Sequence, residues 1–277
     1  MNILVIGGTG FLGKHLVKQL KNNGHTVVLG TRERPDQTNL EVFYCDIDKE
    51  EYDSIEKFPR FDILLFLAWS DLSRQNRDGN SHFEFRLKSQ RFFDSIKQLM
   101  PLQIVVSGSC EEYGLKEGSC SEYDYLVPVT SYGIQKNEFR IFLADHCAQS
   151  GVDLLWLRYF YLYGDEMRKD SLFSALREIE QTGALDFRIE TSGLQRRDYL
   201  HVSEAAKMTV KLIGRARESG IYNIGSGVPK TLREHVEEWK EYKGWQINIL
   251  YSFDETFENL PLLQYADVRK ITQLLNS

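Results

Sequence analysis

The stretch NILVIGGTGFLG, residues 2–13, decides how this chain is read. Ile3 to Ile6 form a short apolar run that suits a strand buried on both faces. Gly7, Gly10 and Gly13 follow as GxxGxxG, and Leu12, Leu16, Val17 and Leu20 then recur at helical spacing until Gly24 supplies a stop. Strand, glycine turn and amphipathic helix in that order form a dinucleotide-binding unit. One glycine makes the turn, one lets the backbone reach a pyrophosphate, and one lets the helix pack against the sheet. The first helix then aims its N-terminal amides at the phosphate charge.

Outward from this unit the same alternation continues. Strands are expected at 26–29, 39–44, 62–68, 103–107 and 153–160, with helices at 83–99 and 132–149. The expected fold class is therefore α/β, a Rossmann-type parallel sheet with helices on both faces and a smaller C-terminal substrate-binding lobe. Residues 1–160 form the dinucleotide-binding part, with a return segment near 199–225 that includes a short strand at 222–224. Residues 161–277 form mainly the second lobe, including a helix at 172–181.

With 34 basic and 40 acidic residues spread along the chain and a formal charge of −6, no block resembles a nucleic-acid footprint. Cys45, Cys110, Cys120 and Cys147 lack CxxC spacing and neighbouring histidines, so neither a metal site nor a disulfide is expected. The run after Met1 is too short for a membrane span and lacks the flanks of a signal peptide, so a cytoplasmic protein with no membrane partner is expected.

Two places carry chemistry. At the end of the second strand, where an acidic residue would hold the ribose hydroxyls of NAD, stand Gly30, Thr31 and Arg32, with Arg34 close behind. A guanidinium pairs bidentately with a 2′-phosphate, so NADP is expected and NAD is the alternative. In the plainer reading, Arg32 and Arg34 are solvated residues balancing Glu33 and Asp36. Asp46, after the third strand, is placed to accept the adenine amino group. Tyr132 and Lys136, four apart, share one helix face. A phenol with an unperturbed pKa of about 10 needs a neighbouring cation to work near neutrality, and Lys136 is placed to supply it. Ser109, at the mouth of the fifth strand, can hydrogen-bond a carbonyl or alkoxide. A Tyr/Lys pair alone is ordinary helix decoration; downstream of this glycine turn it reads as a hydride-transfer site.

GGTGFLG at 7–13, Ser109 in GSCEEYG at 108–114, YGIQK at 132–136, LRYFYLYG at 157–164, RRDYLHV at 196–202 and YNIGSG at 222–227 resemble the extended short-chain dehydrogenase/reductase family, in the branch acting on nucleotide-activated sugars. TSGLQRRDYL at 191–200 is similar to the bacterial reductases that make CDP-paratose. The resemblance implies Ser109, Tyr132 and Lys136 as the catalytic trio, with Lys136 also on the nicotinamide ribose. It implies Gly7, Gly10, Phe11, Leu12 and Gly13 around the pyrophosphate, Asp46 and Ile47 around the adenine, Ala68 on the ribose side and Arg197 on the substrate phosphates. Glu111, Tyr161, Lys169 and Phe173 complete the candidate substrate contacts. It also implies a homodimer built on the helices at 83–99 and 132–149.

Three departures from the pattern stand out. Tyr161 replaces a usual asparagine, Arg86 replaces a helix asparagine, and the chain stops at Ser277, short of a further turn and helix. The dehydratases of the family carry an Asp-Glu pair after the catalytic hydroxyl residue, and here Cys110 removes the acid beside Glu111. The reductases that also epimerise at C3 and C5 place a cysteine where this chain has Glu111. The remaining expectation is NADPH-dependent reduction of the C4 keto group of a nucleotide-linked 4-keto-6-deoxyhexose for a bacterial surface polysaccharide. The alternatives are an NAD-dependent nucleotide-sugar 4-epimerase and a non-catalytic NADP-binding regulator, whose usual sign is loss of the tyrosine or lysine.

Overall fold

The computed structural model describes residues 1–33, 39–53, 60–73, 76–99, 101–167, 171–183, 186–215, 219–252 and 261–276. In chain order the strands are β1 (Asn2–Ile6), β2 (Thr26–Thr31), β3 (Glu41–Asp46), β4 (Glu51–Tyr52), β5 (Ile63–Phe66), β6 (Gln103–Ser109), β7 (Gly118–Cys120) and β8 (Asp153–Tyr159). There follow β9 (Tyr161–Tyr163), β10 (Asp186–Ile189), β11 (Arg196–His201), β12 (Gly220–Ile224), β13 (Pro229–Thr231), β14 (Asn248–Tyr251) and β15 (Leu263–Ala266). The helices are α1 (Phe11–Asn22), α2 (Ser81–Ser95), α3 (Ser131–Ser150), α4 (Leu172–Thr182), α5 (Val202–Arg215), α6 (Leu232–Lys243) and α7 (Arg269–Asn276).

Eight strands form the main sheet in the order β12-β8-β6-β5-β1-β2-β3-β4. The pairings are parallel except where β4 runs against β3. From β1 the chain steps outward through β2 and β3. It then returns to β5 on the other side of β1 and steps out through β6, β8 and β12. Strand order thus reverses between β1 and β5, and a crevice opens at their carboxyl ends, the usual ligand position in such sheets.

The pleat divides the core. Val5, Leu65 and Leu157 pack with Leu16 and Leu20 of α1 and Ala205 and Ala206 of α5, whereas Leu4, Leu64 and Val106 pack with Phe85 and Phe92 of α2 and Phe139 of α3. Both layers are apolar, which is why the central strands read as unbroken runs of Ile, Leu and Val rather than as alternation.

The fold class matches the expectation. Several element ends differ, to the advantage of the site. β6 runs two residues beyond 107, so Ser109 is its last residue, and β3 runs to Asp46 instead of ending before it. The expected helix at 83–99 is α2 followed by a separate 3₁₀ turn, Lys97–Leu99.

At Phe160 the chain leaves the main sheet, and β9 pairs with β11. A second sheet has the order β13-β11-β15-β7, and β10 and β14 form a parallel pair. Phe173, Leu176, Ile189, Val236 and Trp239 form a separate apolar cluster there. Among the described residues no helix is long and apolar enough to cross a membrane.

Candidate active site

The glycine turn is built for close approach. Gly7 has φ +87°, and a Cβ on it would lie 2.8 Å from the Ala68 amide nitrogen, on the chain leaving β5. A Cβ on Gly13 would lie 2.3 Å from the Gly7 carbonyl oxygen and 2.7 Å from Gly8 Cα, so α1 sits against the turn with no room for a side chain. Gly10 is the N-cap of α1, and no side chain caps the helix. The amides of its first turn therefore face the cleft without a capping acceptor, a ready anion site. This cradle fits the pyrophosphate of a dinucleotide. It opens into a cleft of about 1020 Å³, to which Gly7, Gly10, Phe11, Leu12, Gly13 and Ala68 all contribute.

Thr31, Arg32, Asp46 and Ile47 line the far end of the same cleft. Their engagements do not suit a 2′-phosphate. The Thr31 hydroxyl donates to the Glu33 carbonyl at 2.9 Å, and the Arg32 guanidinium is solvent-exposed and drawn toward Asp48 at 3.9 Å. Arg34 lies outside the described residues. Asp46 is buried, and its Oδ1 accepts the amides of Asp48 and Lys49 at 3.0 and 3.2 Å. It shapes the loop that carries Ile47.

At the other end the strand and helix expected to carry chemistry converge. The Thr130 hydroxyl caps α3 by accepting the Gly133 amide at 3.0 Å, which fixes Tyr132 and Lys136 in the first turns of the helix. The Tyr132 hydroxyl hydrogen-bonds Ser109. Ser109 is held in turn by a reciprocal cap. Its Oγ accepts the Glu111 amide at 3.2 Å, and its own amide donates to Glu112 Oε1 at 2.8 Å. Glu112 is fully buried and also accepts from Trp156 Nε1 at 2.9 Å and Arg158 Nε at 2.8 Å. Lys136 donates to the Ser107 carbonyl at 2.7 Å, and its ammonium lies 4.0 Å from the centre of the Trp69 ring.

Burial pushes Lys136 down to about 7 and pushes the Tyr132 phenol well above its ordinary value. The expected direct action of Lys136 on the phenol is thus modified. Its ammonium lies 5.9 Å from the Tyr132 ring centre and is turned to a carbonyl and an indole face.

The candidate substrate contacts divide. Glu111, Tyr161 and Arg197 line the cleft. Arg197 is buried, with its guanidinium donating to the Arg196 carbonyl at 3.0 Å and to Gln195 Oε1 at 3.2 Å. Asp198 does not pair with it, because its carboxylate accepts from Ser226, Gly227 and Ala266. Phe173 packs instead within the second apolar cluster against Tyr163, His235 and Trp239. Lys169 lies outside the described residues. Arg86, in place of the usual asparagine, donates to Gln135 Oε1 at 2.6 Å and ties α2 to α3. Sequence reading passed over Arg77, Trp69 and Thr130, all of which line the cleft. Thr130 carries a legible signal, a capping residue ahead of a helix, whereas Arg77 and Trp69 come from irregular segments with no periodicity to mark them.

A relative 31% identical over 245 residues, covering 86% of this chain and 89% of its own, is the dTDP-6-deoxy-L-talose 4-dehydrogenase (NAD(+)) of Aggregatibacter actinomycetemcomitans. The solved structure of MoeE5 in complex with UDP-glucuronic acid and NAD is 26% identical, with a TM-score of 0.85 over 100% of this chain and 93% of that one. The UDP-glucuronic acid 4-epimerase from Bacillus cereus in complex with NAD shares the fold at 21% identity, with a TM-score of 0.82 over 100% of this chain and 91% of that one.

These findings overturn the NADP assignment and, with it, NADPH-dependent C4-keto reduction. The relative at 31% is named for NAD(+), and the structure at 26% holds NAD. The arginine that prompted NADP is exposed and turned toward Asp48, so its charge in the sequence was a poor guide to a phosphate site. The CDP-paratose likeness has no counterpart among these relatives. The model of the NAD dependent epimerase/dehydratase family matches residues 3–225, from β1 through the glycine turn and the Ser-Tyr-Lys group to the end of β12, and the chain belongs to that family.

Proposed function

We propose that the protein is an NAD-dependent nucleotide-sugar 4-epimerase. The observation that supports this reading most is that Tyr132, with Ser109 hydrogen-bonded to it, and Lys136 line the same cleft as the glycine turn and Arg197. NAD bound in that cleft supplies a reversible hydride acceptor for C4 of the sugar. Gly7, Gly10, Phe11, Leu12 and Gly13 hold its pyrophosphate, Asp46 and Ile47 its adenine, Ala68 a ribose edge and Lys136 the nicotinamide ribose. Tyr132, as phenolate, takes the O4 proton as the C4–O4 bond becomes a carbonyl, and returns it to O4 after the keto sugar has turned. Ser109 hydrogen-bonds O4 in both states. Arg197 meets the diphosphate, with Tyr161 and Lys169 beside it, and Glu111 faces the sugar hydroxyls.

In this reading residues 1–160, with the return at 199–225, bind the cofactor, and 161–277 bind mainly the sugar nucleotide. The protein pairs as a homodimer through α2 and α3, whose Phe83, Ile134 and Ile141 are exposed in the single chain. A second reading, net oxidation at C4, draws on the 31% relative's designation as a 4-dehydrogenase.

The test is incubation with UDP- and dTDP-hexoses and NAD, followed by NMR of the sugar and absorbance of reduced nicotinamide. Interconversion of C4 epimers without net NADH supports the epimerase. Stoichiometric NADH with a 4-ketose product favours the dehydrogenase, and no change in any sugar rejects both.

A further inference from the structure

Lys136 is spent on a backbone carbonyl and an indole face, so the cation that lies over the Tyr132 ring is a different one. The carbon at the centre of the Arg77 guanidinium lies 4.4 Å from the Tyr132 ring centre, closer than the Lys136 ammonium at 5.9 Å. Its position is set by the start of α3. The Tyr132 amide donates to the Arg77 carbonyl at 2.9 Å, the Ser131 amide to Asp78 Oδ1 at 3.1 Å and the Ser131 hydroxyl to the Gly79 carbonyl at 3.1 Å. Segment 77–79 therefore takes up amides that the helix N-terminus leaves open, and this brings the Arg77 side chain back over the phenol. One guanidinium nitrogen, Nη2, lies 3.4 Å from Glu111 Oε1, while Nη1 is buried without a hydrogen-bond partner among the described residues. Glu111 is anchored on its other oxygen by the Thr130 hydroxyl at 2.9 Å.

We propose that Arg77 and Glu111 are a positioning pair that sets the protonation of Tyr132, Arg77 favouring the phenolate and Glu111 opposing it. This rests on the reading of Tyr132 as the proton acceptor at O4. The remaining groups facing Tyr132 do not fill the same role. His82 of α2, with ring centres 5.3 Å apart, is held neutral by burial. Glu112 is paired with Arg158 and ranks last among the influences on the phenol, raising it slightly. Asp78 is bound to the start of α3, and Ser109 is uncharged and acts on the phenol only through its hydrogen bond. Burial is the largest influence raising the phenol, the Glu111 charge adds to it, and the Arg77 charge lowers it. Burial also raises Glu111, against the pull of Arg77. A cation stacked on a phenol ring in a dry pocket stabilises charge on that ring without touching its oxygen, which leaves the hydroxyl free for Ser109 and the substrate.

The experiment follows the tyrosinate absorbance of the NAD-loaded protein against pH, with Tyr132→Phe as the blank, in wild type, Arg77→Met, Arg77→Lys and Glu111→Gln. Arg77→Met is expected to move the Tyr132 titration upward by about one pH unit or more. Arg77→Lys should restore part of that shift, and Glu111→Gln should move the titration downward. The pH profile of kcat should follow in the same directions. An unmoved Tyr132 titration in both Arg77→Met and Glu111→Gln, or a downward shift in Arg77→Met, overturns the proposal. The titration needs no sugar substrate, so the expected shifts in a protein that epimerises nothing would support the pair and count only against the 4-epimerase reading.

Discussion

Tyr132 sits where burial alone disfavours a phenolate, so its usefulness depends on the groups around it. Replacing it with phenylalanine removes the exchangeable proton and little volume. Turnover is expected to fall by about 10²–10⁴-fold, the usual worth of a positioned acid or base, with NAD affinity retained in a binding titration. Near-wild-type turnover would remove Tyr132 from the chemistry. Lys136 makes a pH prediction. Its folded pKa lies at about 7, below the ordinary lysine value, so between pH 7 and the usual lysine range the unfolded chain binds the extra proton. Burying Lys136 is therefore a cost to stability that is fully present below about pH 7 and is relieved as pH rises through that window. Denaturation of Lys136→Met should show a shallower rise of stability with pH than wild type; an unchanged slope would count against a buried lysine of that kind. That Tyr132 and Lys136 share a helix face was legible because helical spacing brings residues four apart together, and Ser109 because it closes a strand. Arg77 was not, because nothing local marks a loop residue folded back over a ring. Arg32 misled because a charge in the sequence does not say which way its side chain turns.

The 3₁₀ turn Cys110–Tyr113 is the element that fixes Ser109, and Glu112 is its anchor. The Glu112–Arg158 pair is almost wholly excluded from water, at 0% and 1% exposure, and bridges this turn to β8. Removing one partner leaves an unpaired buried charge. Arg158→Met is thus expected to cost about 3–5 kcal/mol in denaturant unfolding, while Glu112→Leu with Arg158→Met together should recover much of the loss. A single variant as stable as wild type would show that the pair is not what holds the turn. The sequence displays the run GSCEE, residues 108–112, but not that Glu112 folds inward. That follows from Arg158 and Trp156 lying on the same face of β8, a tertiary fact.

Across the whole molecule, the parallel sheet and its switch point were legible because long apolar runs alternate with amphipathic helices. The second sheet was not, since β7, β9, β13 and β15 are only three or four residues long and depend on partners distant in sequence. The cleft spans both regions, and ligand binding should therefore stabilise the entire fold. At 100 times its Kd, NAD is expected to add about 2.7 kcal/mol to unfolding stability, with NADP giving less at the same concentration. Equal or greater stabilisation by NADP in a thermal melt would contradict the cofactor assignment.

The central claim is that NAD, held by the glycine turn, would supply a hydride acceptor that keeps the C4 hydrogen within the site while Tyr132 carries the O4 proton. Nucleotide hexoses deuterated at C4 test it directly, with the products examined by NMR and mass spectrometry. The expected result is a C4 epimer that keeps its deuterium at C4, with no accumulation of reduced nicotinamide. An epimer that has exchanged its C4 deuterium with solvent, or a 4-ketose formed with stoichiometric deuterated NADH, would contradict it.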